Sequence, residues 1–329
     1  MLSPALTLAL LPAAALLSGG GGRRVRKLIP CLFIYLISFL FFTLLFWPYL
    51  WIDPVGNFIG SITKMANYPY GPGKQLFMGR EMLTHDPPWY YLPVWISIST
   101  PLPLLGLMGS GLLFLILKLK AALKERDPAS GPWAALLAWV IVPPAAAIIL
   151  GSTLYSDFKH VYFIYPALAL ACGCGAKALV EHVSGAKRHL IWALIGLALI
   201  HSVSVHALSH PVQETYVNRL AGPTYSEAAG LFGLQKRTSR TFYLPPVRHI
   251  LKNDGREKVY VALTRDYGKR ISYMLTEEER DRISFVHQKH ADYVILTYDV
   301  DVTLKRGGTE IYSLGMGDMK IASVYDVRP

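Results

Sequence analysis

Charge is scarce in this chain. Only 17% of its 329 residues are Asp, Glu, Lys or Arg, against roughly 25% in ordinary globular domains. The shortage lies in the first two thirds. Residues 1–209 carry 15 Lys/Arg and 7 Asp/Glu, a net of +8; residues 210–329 carry 18 and 15, a net of +3, and the two sum to +11. Cysteine is scarce as well. Cys31, Cys172 and Cys174 all lie in apolar runs, and Cys172-Gly-Cys174 lacks the spacing of a zinc or redox pair. Thiols in such surroundings act as small apolar fillers. Residues 210–329 have no cysteine, which excludes a disulfide framework there. The chain also lacks a Walker motif, a zinc motif, a Gly-x-Ser-x-Gly elbow and a dinucleotide fingerprint. Gly19–Gly22 follows no strand, so it reads as a flexible tract. No cofactor and no metal are expected. The basic residues sit in short clusters beside apolar runs, which is a topology signal and argues against nucleic-acid binding.

What the chain has in abundance is long apolar runs. A spanning helix needs about 20 mostly apolar residues. Leu28–Trp51, Leu92–Leu117, Trp133–Tyr155, Val161–Val180 and Leu190–Leu208 all qualify. Met1–Leu17 is apolar but short. It is either a signal peptide, whose charged leader it lacks, or the end of another span; the second reading is preferred. The expected fold is therefore mostly α: a polytopic membrane helical bundle of five to six spans over residues 1–209. A small α/β soluble domain follows over residues 210–329.

Orientation follows from Lys/Arg bias in short loops. Arg23, Arg24, Arg26 and Lys27 precede the first long run. Lys118, Lys120, Lys124 and Arg126 follow the second, and Lys177, Lys187 and Arg188 lie between the fourth and fifth. If all five runs span, these three clusters fall on one side. The opposite loop, Ile52–Tyr91, balances Lys64, Lys74 and Arg80 with Asp53, Glu81 and Asp86. The basic side is expected to face the cytoplasm, in the inner or plasma membrane, with the C-terminal domain outside. Several runs contain proline, among them Pro101, Pro103, Pro143, Pro144 and Pro166. Such kinks suit a cavity near one face, where neighbours satisfy the freed carbonyls.

In the tail, Lys258–Thr264 and Asp292–Thr297 read as buried strands. Glu310–Leu314 and Lys320–Tyr325 read as a hairpin through Gly315-Met-Gly-Asp318. Pro245–Lys252 reads as a helix with proline at its start and Gly255 beyond its end. Thr276-Glu-Glu-Glu279 has the spacing of a capping box.

Three polar segments fall at the outer face. In Trp51-Ile-Asp-Pro54, Asp53 either caps a short helix after an interfacial Trp or sits at a cavity mouth, where a carboxylate grips sugar hydroxyls. In His85-Asp-Pro-Pro-Trp-Tyr-Tyr91, Trp89 and Tyr90 beside His85 and Asp86 form either an interfacial aromatic belt or a carbohydrate-binding surface. In Tyr155-Ser-Asp-Phe-Lys-His160, the charged trio Asp157, Lys159 and His160 either snorkels into solvent or holds a lipid phosphate. In the second case Lys159 supplies a point charge, His160 a directional donor, and Asp157 sets the ionisation of His160.

In these segments the sequence resembles the bacterial GT-C glycosyltransferases, the group of the protein mannosyltransferases and the lipid A aminoarabinose transferase. Trp47-Pro-Tyr-Leu-Trp-Ile-Asp-Pro54, Pro88-Trp-Tyr-Tyr-Leu-Pro93 with Ser99-Thr-Pro101, and Asp157-Phe-Lys-His160 running into Tyr165-Pro166 carry the resemblance through the helical part. His210-Pro-Val-Gln-Glu-Thr-Tyr-Val-Asn218 with Ala221-Gly222, and Ile311-Tyr-Ser313 to Ser323-Val-Tyr325, carry it into the tail. Lys159 stands where the family segment usually has Arg. The resemblance implies a polyprenyl-phosphate-linked sugar as donor and a protein, lipid or glycan as acceptor. The acceptor would attack the anomeric carbon with a carboxylate as general base, while the bound phosphate stabilises the leaving group. The family's base lies in an acidic first outer loop that this sequence does not contain. The chain is thus expected to be an N-terminally truncated copy or a copy that lost catalysis, inactive alone, and its catalytic residue is unassigned. The alternative is a non-catalytic membrane subunit or receptor whose outer domain binds carbohydrate or a protein partner. A transporter would show intramembrane charges or paired broken helices, and neither is evident in the sequence.

Overall fold

The computed structural model describes residues 21–66, 73–125, 127, 130–237, 240–264, 268–298, 304 and 307–328. The run Met1–Leu17 and Arg126 lie outside them. The described chain is mostly helical, with five helices long and apolar enough to cross a membrane and a C-terminal sheet domain. Two compact units are present. One holds the described residues up to Lys74 together with Met82–Ser97 and Leu102–Ile200; the other holds Gln75–Glu81, Ile98–Pro101 and the chain from His201 onward. The sheet unit thus begins inside the last long helix, earlier than the expected His210, and recruits two short upstream segments.

In the helical unit, helix α1 (Gly21–Phe46) contains the apolar stretch Ile29–Phe46. It stops short of the expected Trp51 because Trp47 leaves helical geometry and Pro48 opens a 3-10 turn, Pro48–Leu50. Helix α2 (Pro54–Ala66) follows. Strands β1 (Lys74–Phe77) and β2 (Arg80–Leu83), of which Gln75–Glu81 belong to the sheet unit, form a hairpin whose turn, Met78-Gly79, has positive φ at both residues, as a two-residue type I′ turn requires. The expected span Leu92–Leu117 is broken into α3 (Tyr91–Ser99) and α4 (Leu102–Glu125). Pro101 and Pro103 withhold two backbone donors at that point. In the sheet unit, the carbonyls of Ile98 and Thr100 accept instead from Asn218, through its backbone N at 2.7 Å and Nδ2 at 2.6 Å.

Helix α5 (Ser130–Ile149) stays helical through Pro143-Pro144 but ends before the expected Tyr155, at a left-handed Gly151. Helix α6 (Tyr165–Glu181) extends a 3-10 turn, Lys159–Ile164, to give the apolar stretch Lys159–Glu181; α7 (Ala186–Leu208) is the fifth. Helices α4 and α6 pack backbone to backbone. A Cβ on Gly111 would collide with the Ala171 carbonyl, and one on Gly175 with the Leu107 carbonyl. Small residues permit this approach, and close packing is what drives helix pairing in lipid. Leu115, Ala171 and Leu137 of α5 form the adjoining core.

The sheet unit contains α8 (Tyr225–Phe232), α9 (Leu244–Asn253), β3 (Val259–Leu263), α10 (Gly268–Ser272), α11 (Glu277–Arg282), β4 (Ile283–Phe285), β5 (Tyr293–Thr297), β6 (Thr309–Met316) and β7 (Met319–Asp326). The strand order is β4-β3-β5-β7-β6, with β3 parallel to β4 and β5, and β7 antiparallel to β5 and β6. Both expected strands, the hairpin, the helix and the capping box are present; Thr276 and Glu279 make both reciprocal bonds. Helix α9 is closed by an extended Asp254 and not by Gly255. Val247 and Ile250 of α9 bury against Val259, Val261, Ile295 and Val324 of the sheet.

The Asp254 carboxylate, 4% exposed, accepts from Arg256 Nη2 at 2.7 Å and from the Tyr293 hydroxyl at 2.9 Å. Arg256 also pairs with Asp292 at 3.1 Å, and Arg328 approaches Asp254 to 3.5 Å. The Arg256 guanidinium holds the Asp254 carboxyl well below the usual carboxylate range. Arg282 donates to the Leu251 carbonyl at 3.0 Å and to the Asp254 carbonyl, closing the end of α9.

Candidate functional site

Between α5 and α6 the chain reverses in a short loop whose geometry is set by its own residues. Ser156 and Asp157 both adopt left-handed backbone, at φ 51° and 68°. Asp tolerates this region; a hydroxyl residue beside it is unusual, and such conformations persist only where their surroundings over-determine them. Here the determinants are visible. Asp157 is buried, and its Oδ1 accepts from the Lys159 backbone N at 2.6 Å and from the Tyr162 hydroxyl at 3.2 Å. Phe158 is also buried and packs edge-on against Tyr162 at 5.0 Å. The Trp139 indole donates to the Phe163 carbonyl at 3.2 Å, fixing the 3-10 turn to α5.

The turn presents a cation and an imidazole together. The Lys159 ammonium lies 4.1 Å from the centre of the Tyr155 ring, within cation–π range. The His160 ring meets the same tyrosine edge-on at 4.7 Å and hydrogen-bonds the Tyr155 backbone. His160 Nε2 is enclosed and has no hydrogen-bond partner among the described residues. The three predicted residues Asp157, Lys159 and His160 are therefore brought together, but with divided roles. Asp157 organises the backbone of the turn, while Tyr155 positions both Lys159 and His160.

A second predicted segment is stitched to this loop. The Leu154 backbone N donates to the Thr84 carbonyl at 2.8 Å, so the stretch that carries His85 and Asp86 runs beside the one that carries Asp157. Both side chains, His85 and Asp86, are exposed. Trp89 and Tyr90 are exposed at 72% and 38% and meet edge-on at 5.6 Å, whereas the next aromatic, Tyr91, is fully buried. The aromatic cluster thus divides into an outward pair and an anchoring residue. Asp53 is engaged locally: its Oδ1 accepts from Gly56 N at 2.9 Å and caps α2.

Two residues outside the predicted set shape the site. Tyr162 reaches Asp157 because the 3-10 turn carries it back over the loop, a contact that helical or strand periodicity does not signal. Tyr155 lay inside the predicted segment, and its role as the platform under Lys159 emerges from the left-handed reversal at Ser156-Asp157. The arrangement can bind an anion: an ammonium and a directional imidazole, held at the start of an apolar helix, with aromatic faces alongside.

No protein-family model, curated protein or solved structure matches this chain.

Proposed function

We propose that this chain belongs to a multi-pass membrane glycosyltransferase of the GT-C kind. It would take a sugar from a polyprenyl-phosphate donor at the outer face of the cytoplasmic membrane. The observation that carries this reading is the Asp157–His160 turn, where Lys159 and His160 are fixed side by side at the start of the apolar stretch Lys159–Glu181. A lipid phosphate sits at that depth when its chain lies among the helices. Lys159 supplies the charge, and His160 Nε2, which has no partner among the described residues, donates one directed hydrogen bond when the ring is in its imidazolium form. Exposed Trp89 and Tyr90, with His85 and Asp86, offer stacking faces and polar groups for a sugar on the segment joined to that turn. In transfer, the acceptor nucleophile would bond to the anomeric carbon while the bond to the phosphate oxygen breaks. Polyprenyl phosphate leaves, stabilised by the cationic site, and the acceptor's proton passes to a general base.

The positions of the basic residues support the orientation. Lys118, Lys120 and Lys124 fall in the last turns of α4, and Lys177, Lys187 and Arg188 flank the link between α6 and α7. If each helix crosses, these ends share one side and the Asp157–His160 turn lies on the other. The rule that basic loops remain cytoplasmic then puts the turn outside.

The test is donor binding by wild type, Lys159→Ala and Lys159→Arg in one detergent. Charge-assisted hydrogen bonds contribute on the order of 1.5–3 kcal/mol. Lys159→Ala should therefore weaken binding roughly 10- to 150-fold at 1.4 kcal/mol per decade, and Lys159→Arg should stay close to wild type. Equal affinities for all three would reduce the trio to an interfacial anchor.

A further inference from the structure

We infer that α2 (Pro54–Ala66) is an interfacial helix, lying along the lipid surface with its apolar face at the boundary between headgroups and acyl chains. This rests on the reading of Ile29–Phe46 as a membrane span. Val55, Ile59 and Ile62 are spaced i, i+4, i+7 and share one face. They are 69%, 58% and 45% exposed, and Trp51 and Ile52, at 64% and 92%, extend the patch back toward α1. Asn57, Gly60, Ser61 and Lys64 share the opposite face.

The helix is arranged the wrong way round for water. Its polar face makes the intramolecular contact, since Asn57 Nδ2 donates to the Tyr49 carbonyl at 2.7 Å. Its apolar face is turned out. The elbow between α1 and α2 is also pinned. The Trp51 indole folds back to donate 2.6 Å to the Leu44 carbonyl, one of the unpaired acceptors at the end of α1, and Asp53 caps the first turn of α2. A linker that only had to leave the membrane would need none of these bonds. They fix the direction in which α2 departs.

Covalent continuity identifies the occupant of the exposed face. The apolar surface of α1, where no residue of Ile29–Phe46 is buried, passes through Trp51 and Ile52 into the stripe of α2. Trp at such a junction settles at headgroup level. Lys64 is the sole charged residue among positions 54–66 and lies on the polar face, where it can meet lipid phosphates. Amphipathic helices of this kind lie in the interface plane.

The experiment uses the full chain with Cys31, Cys172 and Cys174 replaced by serine, reconstituted in phosphatidylcholine–phosphatidylglycerol vesicles. Spin labels are placed one at a time on cysteine at positions 55, 59 and 62, at 57, 61 and 64, and at Leu40 in α1. Collision with oxygen, which partitions into lipid, is compared with collision with a water-soluble nickel chelate. The expected result is a high oxygen-to-nickel ratio at 55, 59 and 62 and a low one at 57, 61 and 64, oscillating with a period of about 3.6 residues. Strong nickel collision at all six positions would place α2 in water and overturn the inference. Weak collision with both reagents at 55, 59 and 62 would mean that protein covers the stripe, which overturns it too. Leu40 separates the two levels of failure. An oxygen-accessible Leu40 beside a nickel-accessible stripe removes only the interfacial helix, whereas a nickel-accessible Leu40 removes the membrane reading beneath it.

Discussion

Asp157 holds the candidate site together without being free to bind a ligand itself. Its carboxylate is buried and accepts from the Lys159 backbone and the Tyr162 hydroxyl, and its own φ of 68° is one that Asp and Asn adopt more readily than most residues. Asp157→Ala removes the acceptor and the backbone tolerance together, so thermal melts in detergent should show a loss of about 1–3 kcal/mol. Asp157→Asn keeps both in large part and should lose about half as much or less. Equal losses in the two variants would mean that the charge, and not the turn geometry, is what matters there. Asp254 makes a different demand in the tail. Its folded pKa is depressed, chiefly by the hydrogen bond from Arg256. The stability it contributes is present above the unfolded carboxyl value of about 3.9 and is lost as pH falls through the lower folded value. Arg256 is half-exposed, which screens the pair, so Asp254→Asn should cost about 1–3 kcal/mol at pH 7. The variant should also show a weaker decline between pH 4 and pH 2.5 than wild type. Parallel pH curves for the two proteins would contradict this.

The helices illustrate what apolar patterning can and cannot locate. Five stretches of sufficient length were legible because spanning length and composition are properties of the sequence alone. Their ends were less legible. Leu92–Leu117 looked continuous, yet Pro101 and Pro103 break it, and the break is stabilised by Asn218, more than a hundred residues away in sequence. No local pattern could announce that partner. The closeness of α4 and α6 was equally hidden, since glycines are common in apolar helices and only a few of these meet a neighbour. Gly175 does and Gly173 does not: a Cβ at 173 has nothing within 4 Å, while one at 175 strikes the α4 backbone. Gly175→Leu should therefore destabilise the chain by about 1–3 kcal/mol, the usual range for overpacking, and Gly173→Leu should leave the melting temperature nearly unchanged. Matching melts for the two variants in the same detergent would mean that α4 and α6 do not cross there.

Taken as a molecule, the chain divides as its charge divides. The charge-poor part is helical, and the part of ordinary composition folds around a five-stranded sheet. The division falls earlier than the composition shift because residues from His201, together with Gln75–Glu81 and Ile98–Pro101, pack with the sheet unit. Strand β4, only three residues long, is too short to show an alternation in the sequence. The candidate site was legible as a set of residue types but not as an arrangement. The spacing of Asp157, Lys159 and His160 put three ionisable groups in one short loop, while the platform of Tyr155 and the bond from Tyr162 depend on a left-handed reversal that the residue pattern does not encode. The proposed function requires this turn to recognise a phosphate on a long lipid. The most direct measurement compares binding of polyprenyl phosphate with binding of the uncharged polyprenol of the same length. Wild type should prefer the phosphate by roughly 10-fold or more, and Lys159→Ala should lose most of that preference while keeping its affinity for the alcohol. Equal binding of phosphate and alcohol by wild type would contradict the account.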